Sequence, residues 1–131
     1  MVLSLSGSKK NLLSIIISIN RYWKQITITL LIVIGFLSLY PLEKLPEFQG
    51  NDKTSHLVAY FLLALPSGLQ NPKKYVLFIF SFVIFGGVIE IIQPFINRNG
   101  EWLDFFANTM GVFFGFSVGA ILKNWFLTNN Y

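Results

Sequence analysis

The chain has 131 residues, of which 53% are hydrophobic and 12% are charged, and its formal net charge is +4 at pH 7. About a quarter of the residues in a soluble globular domain are charged, so this composition excludes an ordinary soluble fold and favours an integral membrane protein. The basic residues are spread between apolar runs, which argues against nucleic-acid binding. The sequence contains no cysteine, which excludes disulfides and thiol chemistry.

Residues 1–25 are predicted to form a cytoplasmic N-terminal tail. The apolar run at 12–19 is too short to span a bilayer, which needs about 20 residues, and it lies between Lys9, Lys10 and Arg21. This pattern favours an amphipathic helix at the inner membrane interface, and a loosely ordered tail is the alternative. The segment has no small-residue cleavage site typical of a secretory signal peptide.

Residues 26–131 are predicted to form one membrane domain. Pro41 and Pro94 mark the ends of two apolar stretches, and Pro66 is expected to bend or end the last turn of another. The sequence therefore predicts an all-α fold, an integral membrane bundle of four transmembrane helices at about 26–42, 54–69, 75–93 and 103–126.

The distribution of charge predicts the orientation of this bundle. With the N-terminus inside, the inner segments hold seven basic residues and no acid, whereas all six acids are on the outer side or near it. A cytoplasmic excess of Lys and Arg is what orients membrane helices. The predicted topology is N-in/C-in. The inner basic residues are Lys9, Lys10, Arg21, Lys24, Lys73, Lys74 and Lys123, and the outer charges are Glu43, Lys44, Glu47, Asp52, Lys53, Glu90, Arg98, Glu101 and Asp104.

Polar residues recur at helical spacing near the outer ends of the last three spans. Ionisable groups within a membrane usually face a bundle interior or a watery cavity and often mark function. We therefore predict one cavity at the outer face, with Lys53 and Arg98 at its mouth. The residues at helical spacing are Asp52, His56 and Tyr60 in the second span, Glu90 and Gln93 in the third, and Asp104 and Asn108 in the fourth.

A stripe of glycines indicates where two helices come close together. Gly111, Gly115 and Gly119 lie on one face of the fourth span, and Gly86 shares a face of the third span with Glu90. Small residues allow membrane helices to approach closely. We expect the third and fourth spans to pack together along these faces.

The order and spacing of these polar residues resemble the VanZ-like family of bacterial membrane proteins. The resemblance runs from Asp52 to Gly119, about half the chain, and includes Asp52-Lys53-x-x-His56-x-x-x-Tyr60, Glu90-x-x-Gln93, Arg98 and Asp104-x-x-x-Asn108-x-x-Gly111. It implies a small, multi-pass protein of the bacterial inner membrane. The family's namesake is linked to reduced susceptibility to the glycopeptide teicoplanin, and the family supplies no settled reaction.

The first functional hypothesis is a protein that binds or modulates a lipid-linked cell-envelope intermediate at the outer leaflet. Arg98 and Lys53 would hold a phosphate headgroup through charge-assisted hydrogen bonds. The carboxylates would orient these cations or contact sugar hydroxyls. The candidate substrate-binding residues are Lys53, Tyr60, Gln93, Arg98, Asp104 and Asn108.

The alternative hypothesis is an intramembrane enzyme that modifies such a substrate. His56 would act as general base, oriented by Asp52, with Glu90 as a second acid or base. A third hypothesis, a transporter or channel, is disfavoured because the inner halves of the helices are apolar, although a homo-oligomer would still be able to line a pore.

A purely structural network and a metal site complete the alternatives. Pairs such as Asp52 with His56, or Glu90 with Arg98, would satisfy one another without doing chemistry. A single histidine and no cysteine disfavour a metal site built from Asp52, His56, Glu90 and Asp104, and no cofactor is predicted.

Overall fold

The computed structural model describes residues 7–41 and 52–128, and the regular secondary structure of these two segments is entirely helical. The predicted outer-loop charges Glu43, Lys44 and Glu47 lie outside the described residues. Five α-helices are followed or joined by short turns of other helical types. They are α1 (Gly7–Arg21), α2 (Trp23–Leu39), α3 (Asp52–Gln70), α4 (Tyr75–Ile92) with a 3-10 turn (Gln93–Ile96), and α5 (Trp102–Leu122) with a π-helical turn (Lys123–Thr128).

The all-α prediction is confirmed, and helices α2 to α5 coincide with the four apolar stretches. Residues 7–21 of the predicted tail are helical, and α1 packs against α3 and the π-helical turn. Pro66 does not end α3, which continues to Gln70 with the proline buried inside it. An interior proline removes one backbone hydrogen bond and crowds the carbonyl one turn earlier, but close packing of Gly68 against the Phe116 backbone of α5 holds the last turn in place.

Two helical segments are long and apolar enough to cross a membrane, namely Tyr75–Ile96 and Trp102–Thr128. A third is added if α1 and α2 count as one span, but these helices are bent by 76° at their junction. Among the described residues, α3 does not meet this standard, since its first two turns carry Asp52, Lys53 and His56. The chain is therefore a membrane-type helical protein with two or three helices of spanning character.

The glycine stripe of α5 packs against α3, so the expectation that this stripe faces α4 is wrong. Helix α4 does pack beside α5 as expected, and a Cβ atom at Gly86 would lie 3.3 Å from the Asn108 side chain. A Cβ atom at Gly115 would overlap the carbonyl oxygen of Phe61, and one at Gly119 would overlap that of Leu65. The backbones of α3 and α5 thus touch along three turns. The contacting residues follow the same order from start to end in both helices, so the two helices run parallel.

Helices α2 and α4 form a second parallel pair. Trp23 at the start of α2 makes an edge-on contact with Phe78, with 5.4 Å between ring centroids. At the other end, the Gln93 side chain donates a hydrogen bond to the carbonyl oxygen of Ser38. Two parallel pairs that run in opposite directions give an up-down-up-down bundle. Its shared core includes Ile34, Tyr60, Leu63, Ala64, Phe82, Ile89, Val112 and Phe116.

This arrangement separates the charges toward the two ends of the bundle. The starts of α3 and α5 and the end of α4 hold all four carboxylates of the described segments: Asp52, Glu90, Glu101 and Asp104. The opposite end holds Lys73, Lys74 and Lys123, and the Lys123 ammonium donates to the Gln70 carbonyl. The bundle therefore has an acidic end and a basic end.

Gly115→Ala is expected to destabilise the bundle by about 1–3 kcal/mol, the usual effect of overpacking a tight contact. The added methyl group would meet the Phe61 backbone, which cannot rotate away. Gly35→Ala is the matched control, because a Cβ there lies 3.7 Å from the Phe85 ring, an ordinary contact. Thermal unfolding of the purified variants in detergent measures the difference. Equal unfolding temperatures for the two variants would contradict the backbone contact.

Candidate functional site

The candidate site lies at the acidic end, where α3, α4 and α5 meet. The contact between α3 and α5 places the first turns of these helices side by side, so that His56 of α3 faces Asp104 and Asn108 of α5. The last turns of α4 bring Glu90 to the same place. Asp104 and Asn108 are 1% exposed and Glu90 is 8% exposed. These three polar groups are therefore buried, and each requires partners within the protein.

A chain of hydrogen bonds links His56, Asn108 and Glu90. The Nδ1 atom of His56 lies 2.9 Å from the side-chain oxygen of Asn108. The Asn108 amide nitrogen donates to Oε1 of Glu90 at 3.4 Å. The other oxygen of Glu90 accepts from the backbone N–H of Glu101 at 3.2 Å. Since the amide oxygen of asparagine only accepts, Nδ1 of His56 carries the hydrogen in this arrangement.

The other side of the imidazole faces two carboxylates. Its Nε2 atom lies 3.7 Å from Oδ2 of Asp104 and 3.8 Å from Oδ1 of Asp52. Asp52 is exposed, with 70% of its side chain accessible, whereas 13% of the His56 side chain is accessible. His56 is thus held between buried and solvent-facing acids.

Lys53 and Glu101 form the rim of this cluster. The Lys53 ammonium donates to Oε2 of Glu101 at 3.1 Å and lies 3.7 Å from Oδ1 of Asp104. Glu101 was not among the predicted site residues. Its position just before α5, three residues from Asp104, is the signal in the sequence that would have identified it.

We name Asp52, Lys53, His56, Glu90, Glu101, Asp104 and Asn108 together the acidic cluster. Six of them are predicted site residues, and hydrogen bonds and ion pairs connect all seven.

Arg98 and Gln93 hold the end of α2. One guanidinium nitrogen of Arg98 donates to the carbonyl oxygens of Leu37 at 3.0 Å and of Tyr40 at 2.9 Å. These carbonyls belong to the last turn of α2 and to the residue after it, where helical partners are missing. The structure does not show the postulated pairing of Glu90 with Arg98, since the partners of Glu90 are Asn108, Glu101 and His56.

Tyr60 lies in the core below the acidic cluster. It is 1% exposed, and its ring packs beside Phe85, with the centroids 6.3 Å apart. A Cβ atom at Gly86 would lie 3.2 Å from this ring. The Tyr60 hydroxyl is buried and has no hydrogen-bond partner among the described residues. The position of Tyr60 in the core indicates that its side chain packs between α3 and α4.

An apolar groove of about 360 Å³ lies beside the acidic cluster, between α4 and α5. Glu90 and Glu101 lie on its lining together with Gly87, Ile91, Gly100, Trp102 and Phe105. Its outer rim is strongly exposed, since Ile91 is 69% accessible and Trp102 is 80% accessible. Gly100 is required at the closed end, because a Cβ atom there would overlap the carbonyl oxygen of Glu90. The groove therefore joins an apolar surface to two carboxylates.

Comparison with protein-family models, curated proteins and solved structures finds no match to this chain. The resemblance to the VanZ-like family stays a prediction based on the polar residues and their spacing.

Asn108→Leu is expected to destabilise the protein by about 2 kcal/mol, since it leaves buried polar groups of His56 and Glu90 without their partner. Thr109→Val is the matched control on the same helix, because the Thr109 hydroxyl only donates to the Phe105 carbonyl one turn earlier. Its effect should stay within about 0.5 kcal/mol. Chemical denaturation in detergent compares the two, and an Asn108→Leu protein as stable as wild type would refute the network.

Proposed function

We propose that this chain is a multi-pass protein of the bacterial inner membrane that binds the polyhydroxylated headgroup of a lipid-linked envelope molecule. Its four spans would be α2 to α5, with both termini in the cytoplasm and the acidic cluster at the outer face. The observation that carries the proposal is the groove between α4 and α5, which has apolar walls and carboxylates on its lining. Such a groove suits an amphiphile, because the lipid chain and the headgroup require opposite surroundings.

The orientation is supported by the separation of charge. Lys73 and Lys74 between α3 and α4, and Lys123 after α5, lie at the end opposite the acidic cluster. Cytoplasmic loops are enriched in Lys and Arg, so the basic end is assigned to the cytoplasm. The short helix α1, with Lys9 and Lys10 in its first turn, would lie along the inner interface.

The weakly apolar character of α3 is compatible with a fourth span. Its buried face contacts α5 directly, and Tyr60, Leu63 and Ala64 are all almost inaccessible. Polar groups in membrane helices are tolerated where they face a bundle interior and find partners. Asp52, Lys53 and His56 have such partners at the acidic end.

The chemistry of the lining favours sugar hydroxyls over phosphate. The acidic cluster contains four carboxylates and one lysine, which gives this end an excess of negative charge. Carboxylate oxygens accept hydrogen bonds from hydroxyl groups. Lys53 binds Glu101 and Arg98 binds the end of α2, so the donor groups that would hold a phosphate are engaged. Glu90 and Glu101 also have partners, but a carboxylate has about four lone-pair sites and can accept a further hydrogen bond from a hydroxyl. We therefore favour Glu90 and Glu101 as the groups that contact the headgroup.

The resemblance to the VanZ-like family supports the same class of ligand. Binding an envelope intermediate at the outer leaflet would change teicoplanin susceptibility without breaking a covalent bond. We extend the proposal to such an effect in the host bacterium.

The orientation is tested with single cysteines at Asn99 and Thr128, two exposed positions on either side of α5. The chain has no native cysteine, so each label reports one site. A membrane-impermeant maleimide added to intact cells should label Asn99→Cys, and it should label Thr128→Cys only after the cells are opened. The reverse labelling pattern would show the opposite orientation and would contradict the proposal of a ligand at the outer face.

Headgroup binding is tested by the fluorescence of Trp102 in nanodiscs of phosphatidylcholine, with Trp23 and Trp125 replaced by Phe. A diglycosyl diacylglycerol should give a saturable change in Trp102 emission. Glu90→Gln should weaken binding by roughly tenfold or more, because a hydrogen bond to a charged group contributes about 1.5–3 kcal/mol.

Ser81→Ala is the control for this titration, since the Ser81 hydroxyl is exposed on the same helix and donates only to the Leu77 carbonyl. Gly87→Leu should also abolish the response, because a side chain there fills the groove beside the Phe105 ring. An equal response to phosphatidylglycerol, or undiminished binding by Glu90→Gln, would contradict recognition of hydroxyls by the carboxylates.

A further inference from the structure

The acidic cluster contains a second candidate site, separate from the groove, where α3 and α5 begin. Asp52, His56 and Asp104 each offer one ligand atom, and these atoms all lie within 4.8 Å of one another. The geometry points to a site for a divalent transition-metal cation of the Zn²⁺ class, held by the carboxylates of Asp52 and Asp104 and by Nε2 of His56. This inference revises the expectation that a single histidine disfavours a metal, and it does not depend on the groove or its ligand.

The hydrogen bonding of His56 makes its Nε2 atom available as a ligand. The bond from Nδ1–H to the Asn108 oxygen leaves the lone pair of the neutral imidazole on Nε2. Metal-binding histidines usually donate their other N–H in this way, which fixes the ring and its tautomer. Asn108 is in turn held by Glu90. The cluster thus supplies both the ligand and its support.

The distances around Nε2 fit a shared central atom better than direct bonds. Oδ2 of Asp104 and Oδ1 of Asp52 lie 3.7 Å and 3.8 Å from it, which is too long for hydrogen bonds. Ligand atoms around a tetrahedral zinc ion lie about 3.4 Å apart, given metal–ligand bonds of 2.0–2.2 Å. The Asp52 side chain is 70% exposed, so it is free to change its rotamer when a cation binds.

The carboxylate of Asp104 provides independent evidence that a partner belongs here. Its side chain is 2% exposed, and its Oδ1 atom accepts no hydrogen bond within the described residues. The Lys53 ammonium pairs with Oδ1 at 3.7 Å, which is too long for a hydrogen bond, and Oδ2 faces Nε2 of His56 at 3.7 Å. A buried carboxylate is costly unless its charge is well compensated by a close partner, hydrogen bonds or a metal. A cation bound to this carboxylate beside His56 would supply a direct bond that the distant ion pair with Lys53 does not.

The ligand types select the class of metal. Imidazole suits Zn²⁺ and its neighbours among the transition metals, whereas Mg²⁺ and Ca²⁺ prefer oxygen ligands alone. Three protein ligands would leave a further position for water or another donor, as in open zinc sites. A divalent cation would also offset the excess of negative charge, since four carboxylates face one lysine in the cluster.

The inference is tested by isothermal titration of the full chain in nanodiscs, after treatment with a chelator. Zn²⁺ should bind at one saturable site, and Mg²⁺ should bind at least tenfold more weakly. His56→Gln should abolish Zn²⁺ binding. Asp52→Asn should weaken it at least tenfold without changing the unfolding temperature of the metal-free protein, because Asp52 is exposed and its loss leaves no buried group without a partner.

Glu101→Gln is the matched control, because Glu101 belongs to the acidic cluster but not to the three ligands. Its Zn²⁺ affinity should stay within threefold of wild type. The absence of Zn²⁺ binding by the wild type would overturn the site. An equal loss of Zn²⁺ affinity in Glu101→Gln and Asp52→Asn would also overturn it, because that result would indicate general attraction by negative charge. The Trp102 titration on the chelated protein is a separate readout, so either proposal can fail while the other stands.

Discussion

The backbone contact between α3 and α5 is the constraint on which the candidate site depends. Gly111, Gly115 and Gly119 remove the side chains that would otherwise separate these helices, and Gly68 does the same from the α3 side. Because the backbones are in contact, the side chains in the first turns of α3 and α5 also contact each other. His56 is consequently pressed against Asp104 and Asn108, so that buried polar groups of both helices lie in contact.

The remaining helices are attached to this pair by different means. Helix α4 joins it through Glu90, whose carboxylate accepts from Asn108 and from the backbone that begins α5. Helix α2 packs directly against α3, and its terminal carbonyls accept hydrogen bonds from Arg98 and Gln93 in the segment after α4. The polar side chains that the sequence predicted to share one site thus divide into two groups. One group forms the acidic cluster, and the other fastens a helix end.

The sequence predicted the helices well because long apolar runs bounded by prolines and charges leave few alternatives. It also identified Asp52, His56, Glu90, Asp104 and Asn108 as neighbours, since helical spacing places each set on one face and the connections bring the same ends together. These predictions rest on local geometry, which a single sequence contains.

The partners of particular groups were not predictable in the same way. A GxxxG stripe indicates that a neighbouring helix packs closely against it, but it does not specify which one. The prediction therefore chose α4 where the structure has α3. Arg98 binds backbone carbonyls, which every residue possesses and no side-chain pattern reveals. The position of Glu101, three residues before Asp104, would have placed it near the site, but nothing in the local spacing identifies Lys53 of α3 as its partner.

The pairing of α3 with α5 also bears on how the chain is assembled. Helix α3 is made before α5, yet it is too polar to be among the helices of spanning character, and the surface that shelters it belongs to α5. In the proposed four-span topology, α3 would enter the bilayer only together with α5, which covers its polar face. The order of integration would then differ from the order of translation.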